Sequence, residues 1–520
     1  MKIAFDYKAM PDWPVLSWLA ACEPGTNCVR ILHGTEVETR PDWFCEAVWD
    51  GAFAEANFDH SDLVFGSGAR CRNGTVSFVS SGTTVDRLQY LERDSCSLVS
   101  NSLACLLAVA GADPDADFRG YKDLFASIGE GLVQYDRRVP LASGAAQLVY
   151  FHNLLWDNSE LRVVPKVVPE RNFSSYDKYI AFLQQSLKSI AANMSSADRM
   201  YPYEWQGTLS RGYDSPSAAA LVQDCGLSSV LSFHQSRPGV QDDGKLIAAA
   251  LGIDIDVVDR LSWQRDGVWE PAFISADGQG KEVFVSSARE RLRRRVLVTG
   301  FGGDYVWARD PQPLTPDLVR GGHSGLSLTE FRLHYGFINL AVPFMGMTQV
   351  ADICRISQSP EMSEWDIGGS YTRPIPRRLL EERGVPRELF GMAKTGASMR
   401  YVVGQDAWSA NGHRAYLRWL WYSPKLPANR LTRAVWVATL TIFRWLLLLG
   451  DFAPHTLGRV VRTGVRFSVV VLRRLGFQDH PFLWGMGYTC RSYQGRDDYP
   501  RLLRELLRPP DGRDCGAARR

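Results

Sequence analysis

The pattern of hydrophobic and polar positions changes near residue 165. Before it, short apolar or alternating runs are separated by clusters of Gly, Asn, Asp and Ser, which predicts strands joined by turns. Residues 98–110 and 121–128 have the apolar spacing of helices. Later, strand-like and helix-like runs alternate, which is typical of a parallel sheet covered by helices. We therefore expect a β-rich domain at 1–165 and an α/β domain at 170–420.

The α/β part contains one long helix prediction and several buried strands. Residues 175–193 carry apolar side chains at helical spacing. The runs at 204–209, 230–233, 253–258 and 295–299 read as strands with helices between them. This order predicts a doubly wound parallel sheet, in which the loops after the strands meet at one edge and bind ligands.

A turn of small and polar residues follows the first of these strands. Residues 210–215 read SRGYDS and lead into a small-residue helix at 217–222. Backbone N–H groups at such a junction can close around an anion at the positive end of the helix. The carboxylate of Asp214 is a ligand of the kind that Mg²⁺ prefers. The alternative is an ordinary helix cap, because Ser and Asp are also favoured N-cap residues.

A second glycine-rich segment follows the strand predicted at 295–299. Residues 300–305 read GFGGDY, and the glycines allow the backbone to approach a ligand closely. The segment is not a dinucleotide-binding fingerprint, because Tyr305 stands where the third glycine would fall. A Walker-type loop is excluded as well, since its spacing of glycine, lysine and hydroxyl residues is missing.

Together, the two segments resemble the motifs SGGxDS and GEGADE of the asparagine synthetase family. A third segment at 386–396 is similar to the one that carries this family's conserved lysine, which would be Lys394. The resemblance implies a PP-loop (adenine nucleotide alpha hydrolase-like) synthetase domain at 170–420. It also implies that 1–165 form a β-rich α+β glutaminase-like domain of the N-terminal nucleophile hydrolase type.

The resemblance implies an ATP-dependent amide-bond ligase with ATP and Mg²⁺ as cofactors. A substrate carboxylate would attack the α-phosphate of ATP, and an amine or ammonia would trap the resulting acyl-adenylate. The implied catalytic residues are Lys394, Asp214 and Asp304, and the two aspartates would hold Mg²⁺. From the residue alone, the simpler interpretation of Lys394 is an exposed surface lysine, and only its place in the third motif favours a catalytic role. The implied nucleotide site consists of Leu209, Ser210, Gly212, Asp214, Ser215, Ser232, Thr299 and Gly300.

Four positions depart from the family pattern. Lys2 stands where the glutaminase nucleophile would be a cysteine, which predicts a retained fold without glutamine hydrolysis. Phe301 replaces a glutamate linked to the incoming ammonia and has no proton-accepting group. Arg211 replaces a loop glycine, and Tyr305 replaces the last glutamate of the second motif. Two readings therefore stay open: a ligase, including a lasso-peptide cyclase-like or polysaccharide-linked enzyme, and an inactive nucleotide-binding interaction module.

Composition agrees with a globular protein of two to three domains. The chain has 520 residues, of which 45% are hydrophobic and 22% charged. Ten cysteines without close paired spacing argue against a zinc site and against a secreted disulfide scaffold. The N-terminus has no signal-peptide hydrophobic run, so we expect a cytoplasmic protein. The expected partners are a small-molecule or peptide carboxylate and an amine acceptor, without nucleic acid, and a homodimer is an open alternative.

The last hundred residues are basic. Residues 421–520 contain 17 Lys and Arg against 7 Asp and Glu, a balance of +10 that leaves −8 for residues 1–420. Residues 434–449 are strongly apolar but shorter than the about 20 residues that span a bilayer. We predict a helical extension at 421–520 with two alternatives. Its helices pack on the synthetase-like domain, or residues 430–475 form a basic amphipathic surface against the inner face of the membrane.

Overall fold

The computed structural model describes most of the chain. Lys2, Lys394 and most of the segment 458–475, on which several of the predictions rest, lie outside the described residues. The described residues are 3–93, 96–237, 240–369, 371–392, 399, 408–424, 426, 429–452, 460–461, 463–465 and 480–494.

The first part of the chain is rich in strands, as its short apolar runs and turn residues predict. Among its described residues, the two α-helices are α1 (Leu103–Ala110) and α2 (Tyr121–Ala126). The strands are β1 (Ala4–Ala9), β2 (Trp18–Cys22), β3 (Cys28–His33), β4 (Glu38–Arg40), β5 (Trp43–Trp49), β6 (Val64–Arg72), β7 (Thr75–Val79), β8 (Leu88–Arg93), β9 (Cys96–Ser100), β10 (Arg138–Pro140), β11 (Ala145–Val149), β12 (Asn153–Trp156) and β13 (Leu161–Val164).

These strands form two sheets that share an apolar core. One has the order β1-β3-β2-β9-β8-β11-β10 and the other β13-β12-β7-β6-β5-β4. Trp18 from the first sheet and Phe44 and Phe78 from the second lie in the same buried cluster. The helix α1 contacts β9, β8 and β2 of the seven-stranded sheet. The prediction of a helix over 98–110 is wrong at its start, because Leu98 pairs with Leu91 of β8 and Ala21 of β2.

The second part contains a five-stranded parallel sheet, in agreement with the predicted α/β class. Its order is β18-β15-β14-β19-β20, and every neighbouring pair is parallel. The chain therefore builds outwards from β14 on one side and then returns to β19 on the other, which makes a switch point between these two strands. The strands, including a separate β16–β17 ribbon, are β14 (Glu204–Thr208), β15 (Ser229–Phe233), β16 (Gln235–Arg237), β17 (Val240–Gln241), β18 (Asp254–Val258), β19 (Arg295–Thr299) and β20 (Ile338–Ala341).

Helices cover this sheet and continue into the last part of the chain. The prediction over 175–193 is confirmed by α3, which Ser175 caps by accepting a hydrogen bond from the Lys178 N–H. The helices are α3 (Tyr176–Met194), α4 (Asp214–Gln223), α5 (Lys245–Leu251), α6 (Glu270–Asp277), α7 (Gly303–Val306), α8 (Thr329–Tyr335), α9 (Val350–Gln358), α10 (Pro374–Glu382), α11 (Ala410–Tyr422), α12 (Arg430–Phe452) and α13 (Pro481–Thr489).

The C-terminal helices pack against both earlier parts. The helix α12 lies along α11, and α13 packs against α6. Beyond α13, Tyr493 accepts a hydrogen bond from the Trp13 indole at its carbonyl (3.1 Å), and its hydroxyl donates to Glu330 of α8 (3.0 Å). Leu106, Leu221 and Phe482, one from each part, belong to a single buried cluster. Within the described residues, no helix combines the length and apolarity needed to cross a membrane.

Candidate functional site

The loops after β14 and β19 touch at the switch point of the parallel sheet. A Cβ atom on Gly300 would lie 2.6 Å from the backbone carbonyl carbon of Asp214, and one on Gly303 would lie 2.6 Å from its Oδ1. Both distances are far below a normal contact. A side chain at Gly300 would clash with backbone, and one at Gly303 would displace the Asp214 side chain. The approach brings Asp214, the first residue of α4, to the same edge as Asp304 in α7.

An arginine that the sequence analysis missed lies between these two aspartates. Arg373, immediately before α10, donates one Nη to Asp214 and the other to Asp304 Oδ1 at 2.5 Å. Its side chain is 4% exposed, whereas those of Asp214 and Asp304 are 21% and 52% exposed. Burial alone would lower the pKa of Arg373, but the two carboxylates outweigh it and raise that pKa. The guanidinium is therefore a fixed positive charge at the floor of an open acidic site.

Aromatic rings hold Arg373 in this position. Its guanidinium carbon lies 5.1 Å from the ring centre of Tyr371 and 5.8 Å from that of Tyr213. Tyr213, the variable position of the loop motif, is fully buried, and its hydroxyl accepts a hydrogen bond from Arg377 at 2.5 Å. Gly391 packs directly on the Tyr213 ring. The segment that leads toward Lys394 thus contacts the loop, although Lys394 itself is outside the described residues.

The loop at 210–215 is folded on itself. The hydroxyls of Ser210 and Ser215 are 2.8 Å apart, and the N–H of Gly212 donates to Ser210 Oγ at 3.2 Å. The N-cap residue of α4 is Tyr213, without a side-chain cap hydrogen bond. The alternative that its Ser and Asp residues form an ordinary helix cap therefore does not hold.

The remaining predicted nucleotide-site residues support the strand ends. Ser232 is fully buried, and its hydroxyl donates to the carbonyl oxygen of Leu209 at 2.8 Å. The hydroxyl of Thr299 donates to the buried side chain of Asn339 at 3.0 Å. Both hydroxyls are engaged inside the protein, so these residues shape the edge of the sheet on which the loops rest. Gly300 does so too, through its contact with Asp214.

The departures from the family pattern occupy distinct places. The side chain of Arg211 is exposed, while its backbone N–H donates to Asp242 Oδ1 at 2.7 Å. Tyr305 is buried and donates its hydroxyl to the carbonyl oxygen of Pro313. Phe301 packs beside Gly325, at the contact with the first part of the chain. Among these three side chains, only that of Arg211 is on the surface beside the loop.

Asp214 and Asp304 fit a single hard cation. Carboxylate oxygens from two loops converge on one positive charge, and oxygen is the ligand that Mg²⁺ prefers. In the structure, the Arg373 guanidinium occupies the point between the two carboxylates. In the part of the chain that the structure describes, no group of three or more His, Cys, Asp or Glu could hold a metal. A divalent ion would therefore need further oxygens from substrate or water, and Arg373 would have to move away.

Three cysteines among the described residues of the first part are poorly suited to replace the missing N-terminal nucleophile. Burial raises the pKa of Cys45 and of Cys96 to about 12, and it raises that of the fully buried Cys105 as well. The thiolate is the nucleophilic form, and burial disfavours it. These three residues therefore suit packing in the first part of the chain.

Comparison with known families and curated proteins found no match. No family model matches the sequence, and no curated protein is significantly similar to it. The interpretation of the site accordingly rests on the residues and contacts described above.

Proposed function

We propose that this protein is an asparagine synthetase-like, ATP-dependent amide-bond ligase without its own glutaminase activity. The observation that carries the proposal is the convergence of Asp214 and Asp304 on one cation at the switch point. The parallel sheet with its strand, loop and helix order supports a PP-loop domain. The two packed sheets of the first part support a glutaminase-like domain that has lost its nucleophile.

The residues of this chain would bind the nucleotide and balance its charge. Phosphate oxygens would approach the N-terminus of α4, where backbone N–H groups and the helix dipole favour an anion. They would compete with the aspartates for Arg373, which forms strong charge-assisted hydrogen bonds with either partner. Asp214 and Asp304 would hold Mg²⁺, which would neutralise charge on the phosphates.

The reaction would be an adenylation followed by acyl transfer. The substrate carboxylate oxygen forms a bond to the α-phosphorus, the bond from that phosphorus to the bridging oxygen breaks, and pyrophosphate leaves. An amine nitrogen then attacks the acyl carbon, loses a proton and displaces AMP. Phe301 cannot accept that proton, which favours an acceptor amine other than plain ammonia. The role of Lys394, charge compensation in one or both steps, stays a prediction from the resemblance.

A second candidate function is nucleotide binding without turnover. It is favoured by the Arg373 bridge, which occupies both aspartates. It is also favoured by the loop, where the N–H groups of Arg211 and Gly212 already have partners inside the protein. In this case the protein would act as an interaction module whose contacts respond to nucleotide.

Nucleotide binding and pyrophosphate exchange separate the two candidates. Calorimetry would measure ATP binding with and without Mg²⁺, and ATP–pyrophosphate exchange would be followed across pools of carboxylates and peptides. For the ligase we expect exchange with at least one pool, and a loss of at least about tenfold in Mg²⁺-dependent binding for Asp214→Asn. Asp224→Asn is the matched control, because Asp224 follows the same helix α4 and pairs with Arg383 instead.

Each result has a defined meaning. ATP binding without exchange in any pool would contradict the ligase and support the interaction module. Absence of ATP binding by a protein that circular dichroism shows to be folded would contradict both.

A further inference from the structure

One face of α12 is apolar and exposed. Its outward side chains are Leu431 (75% exposed), Val435 (53%), Ile442 (57%), Trp445 (64%) and Leu446 (40%). Their spacing places them within one stripe of an α-helix. From Leu431 to Leu446 this stripe, which we call the α12 stripe, is about 22 Å long at 1.5 Å per residue.

The opposite face of α12 packs against the rest of the protein and forms hydrogen bonds with it. Trp436 and Leu440 are buried. Arg433 donates to a carbonyl oxygen of the loop between α11 and α12 at 2.7 Å, and Arg444 donates to the carbonyl oxygen of Trp408 at 3.3 Å. Arg433 and Arg444 therefore face the protein while the apolar stripe faces outward, the reverse of what a solvent-facing helix requires.

Aromatic and basic side chains lie beside one end of the α12 stripe. Trp421 and Tyr422, at the end of α11, are 42% and 72% exposed. With Arg430 and Arg433 they line a cavity of about 320 Å³. Tryptophan and tyrosine suit the boundary between water and hydrocarbon, and arginine beside them can bind a phosphate or carboxylate headgroup.

We propose that the α12 stripe lies on an anionic lipid surface, with the helix parallel to the membrane. Exposed apolar patches of this kind mark interaction sites. Residues 421–520 carry 17 Lys and Arg against 7 Asp and Glu, and a basic region is drawn to anionic lipid. Residues 421–520 of a second copy would carry the same net positive charge, so like-charge repulsion opposes a dimer through this region.

Vesicle sedimentation with the full-length protein tests the proposal. The protein would be mixed with vesicles of phosphatidylcholine alone or of phosphatidylcholine with phosphatidylserine. We expect at least about tenfold more binding to the anionic vesicles, and weaker binding as salt is added. The double variant Ile442→Ser, Trp445→Ser should lose at least about tenfold of that binding, since each side chain buries an apolar surface in the lipid.

Two further variants keep the test decisive. Val133→Ser is the matched control, because Val133 is 70% exposed in the first part of the chain, and it should bind as the parent does. Leu431→Ser, Val435→Ser is a second stripe variant that repeats the expected loss if the first pair folds poorly.

Three results would overturn the proposal. They are absence of vesicle binding by the parent protein, equal binding to both kinds of vesicle, and full binding by both folded stripe variants. Sedimentation equilibrium adds a fourth: a dimer that the stripe variants dissociate, without vesicle binding, would assign the stripe to a second copy of this chain.

Discussion

Two arginines in this protein each lie between two carboxylates from distant parts of the chain. Arg332 of α8 donates to Glu46 of β5 at 2.7 Å and to Asp86, in the loop before β8, at 2.8 Å, which joins the α/β part to the first part of the chain. Arg373 does the same for the two aspartates of the candidate site. The clusters differ in exposure: the Arg332, Glu46 and Asp86 side chains are at most 6% exposed, whereas the site aspartates are 21% and 52% exposed.

The difference shows how burial decides what an ion cluster can do. Around Arg332, the oxygens of Glu46 also accept hydrogen bonds from Ser67 (2.6 Å) and Asn101 (3.2 Å). Burial alone would lower the pKa of Arg332, but Asp86 and Glu46 outweigh it and raise that pKa. Such a cluster holds the parts of the chain together, because removing one partner would leave the other charges buried without water or a counter-charge. Around Arg373, the carboxylates are partly exposed to water. We therefore expect that another cation can replace the arginine, or that a phosphate can replace the carboxylates.

The largest expected loss of stability comes from breaking the buried Arg332 cluster. Arg332→Met leaves Glu46 and Asp86 buried without their counter-charge, and we expect it to reduce the free energy of unfolding by about 3 to 5 kcal/mol. Urea unfolding at neutral pH, followed by circular dichroism, measures the loss. A loss below about 1 kcal/mol would show that the buried cluster contributes no more than an exposed ion pair. The proposed difference between the Arg332 and Arg373 clusters would then be wrong.

A buried acid whose neighbour is another acid should show the next largest effect. Burial, and then the charge of Glu282, raise the pKa of Asp277 from 3.8 to about 7. Because this pKa is higher in the folded state, the native protein binds the proton more tightly. The contribution of Asp277 to stability should therefore be greatest below about pH 4, fall as the pH rises to about 7, and stay level above that.

The variant Asp277→Asn isolates this acid. The amide oxygen can still accept the N–H groups of Gln279 and Gly280, which donate to Asp277 at 2.7 Å. We expect the variant to be more stable than the parent above pH 7, by on the order of 4 kcal/mol, and similar below pH 4. Urea unfolding across this pH range measures both values. An equal difference at every pH would show that Asp277 does not titrate in this range.

Removing the arginine of the open site should cost less stability. For Arg373→Met we expect a loss of about 1 to 2 kcal/mol, because water screens the remaining carboxylates. The same variant should bind Mg²⁺ at least about tenfold more tightly by calorimetry, since a competing cation is gone. Arg377→Met is the matched control: Arg377 is buried one turn along α10 and bonds to Tyr213, and its loss should not raise Mg²⁺ affinity. Unchanged Mg²⁺ affinity in Arg373→Met would contradict the expectation that a metal ion can replace the arginine between the two aspartates.

The sequence could predict the frame of this site but not its central cation. Strand patterns and glycine-rich loops were enough to bring Asp214 and Asp304 to one edge, because parallel strands end at the same side. Arg373 is 159 residues from Asp214 and belongs to no motif, and tertiary packing on Tyr213 and Tyr371 fixes its place.

The helix predicted over 98–110 shows a second limit of sequence patterns. A short apolar run suits a buried strand as well as a buried helix, and periodicity does not separate the two. At Leu98–Ser100 the choice is made by pairing with β2 and β8, which are distant in sequence.

The smallest expected change in stability comes from an exposed ion pair between an arginine and an aspartate. Arg265 and Asp259 are 2.9 Å apart, yet their side chains are 75% and 52% exposed. Water solvates both charges whether or not they pair, so Arg265→Met should change the free energy of unfolding by less than about 0.5 kcal/mol. Urea unfolding of Arg265→Met, Arg332→Met and Arg373→Met in parallel compares the energies of three arginine–carboxylate ion pairs that differ in burial. If Arg265→Met cost as much as Arg373→Met, contact distance and not burial would set the energies, and Arg373 could no longer be distinguished from an ordinary surface arginine.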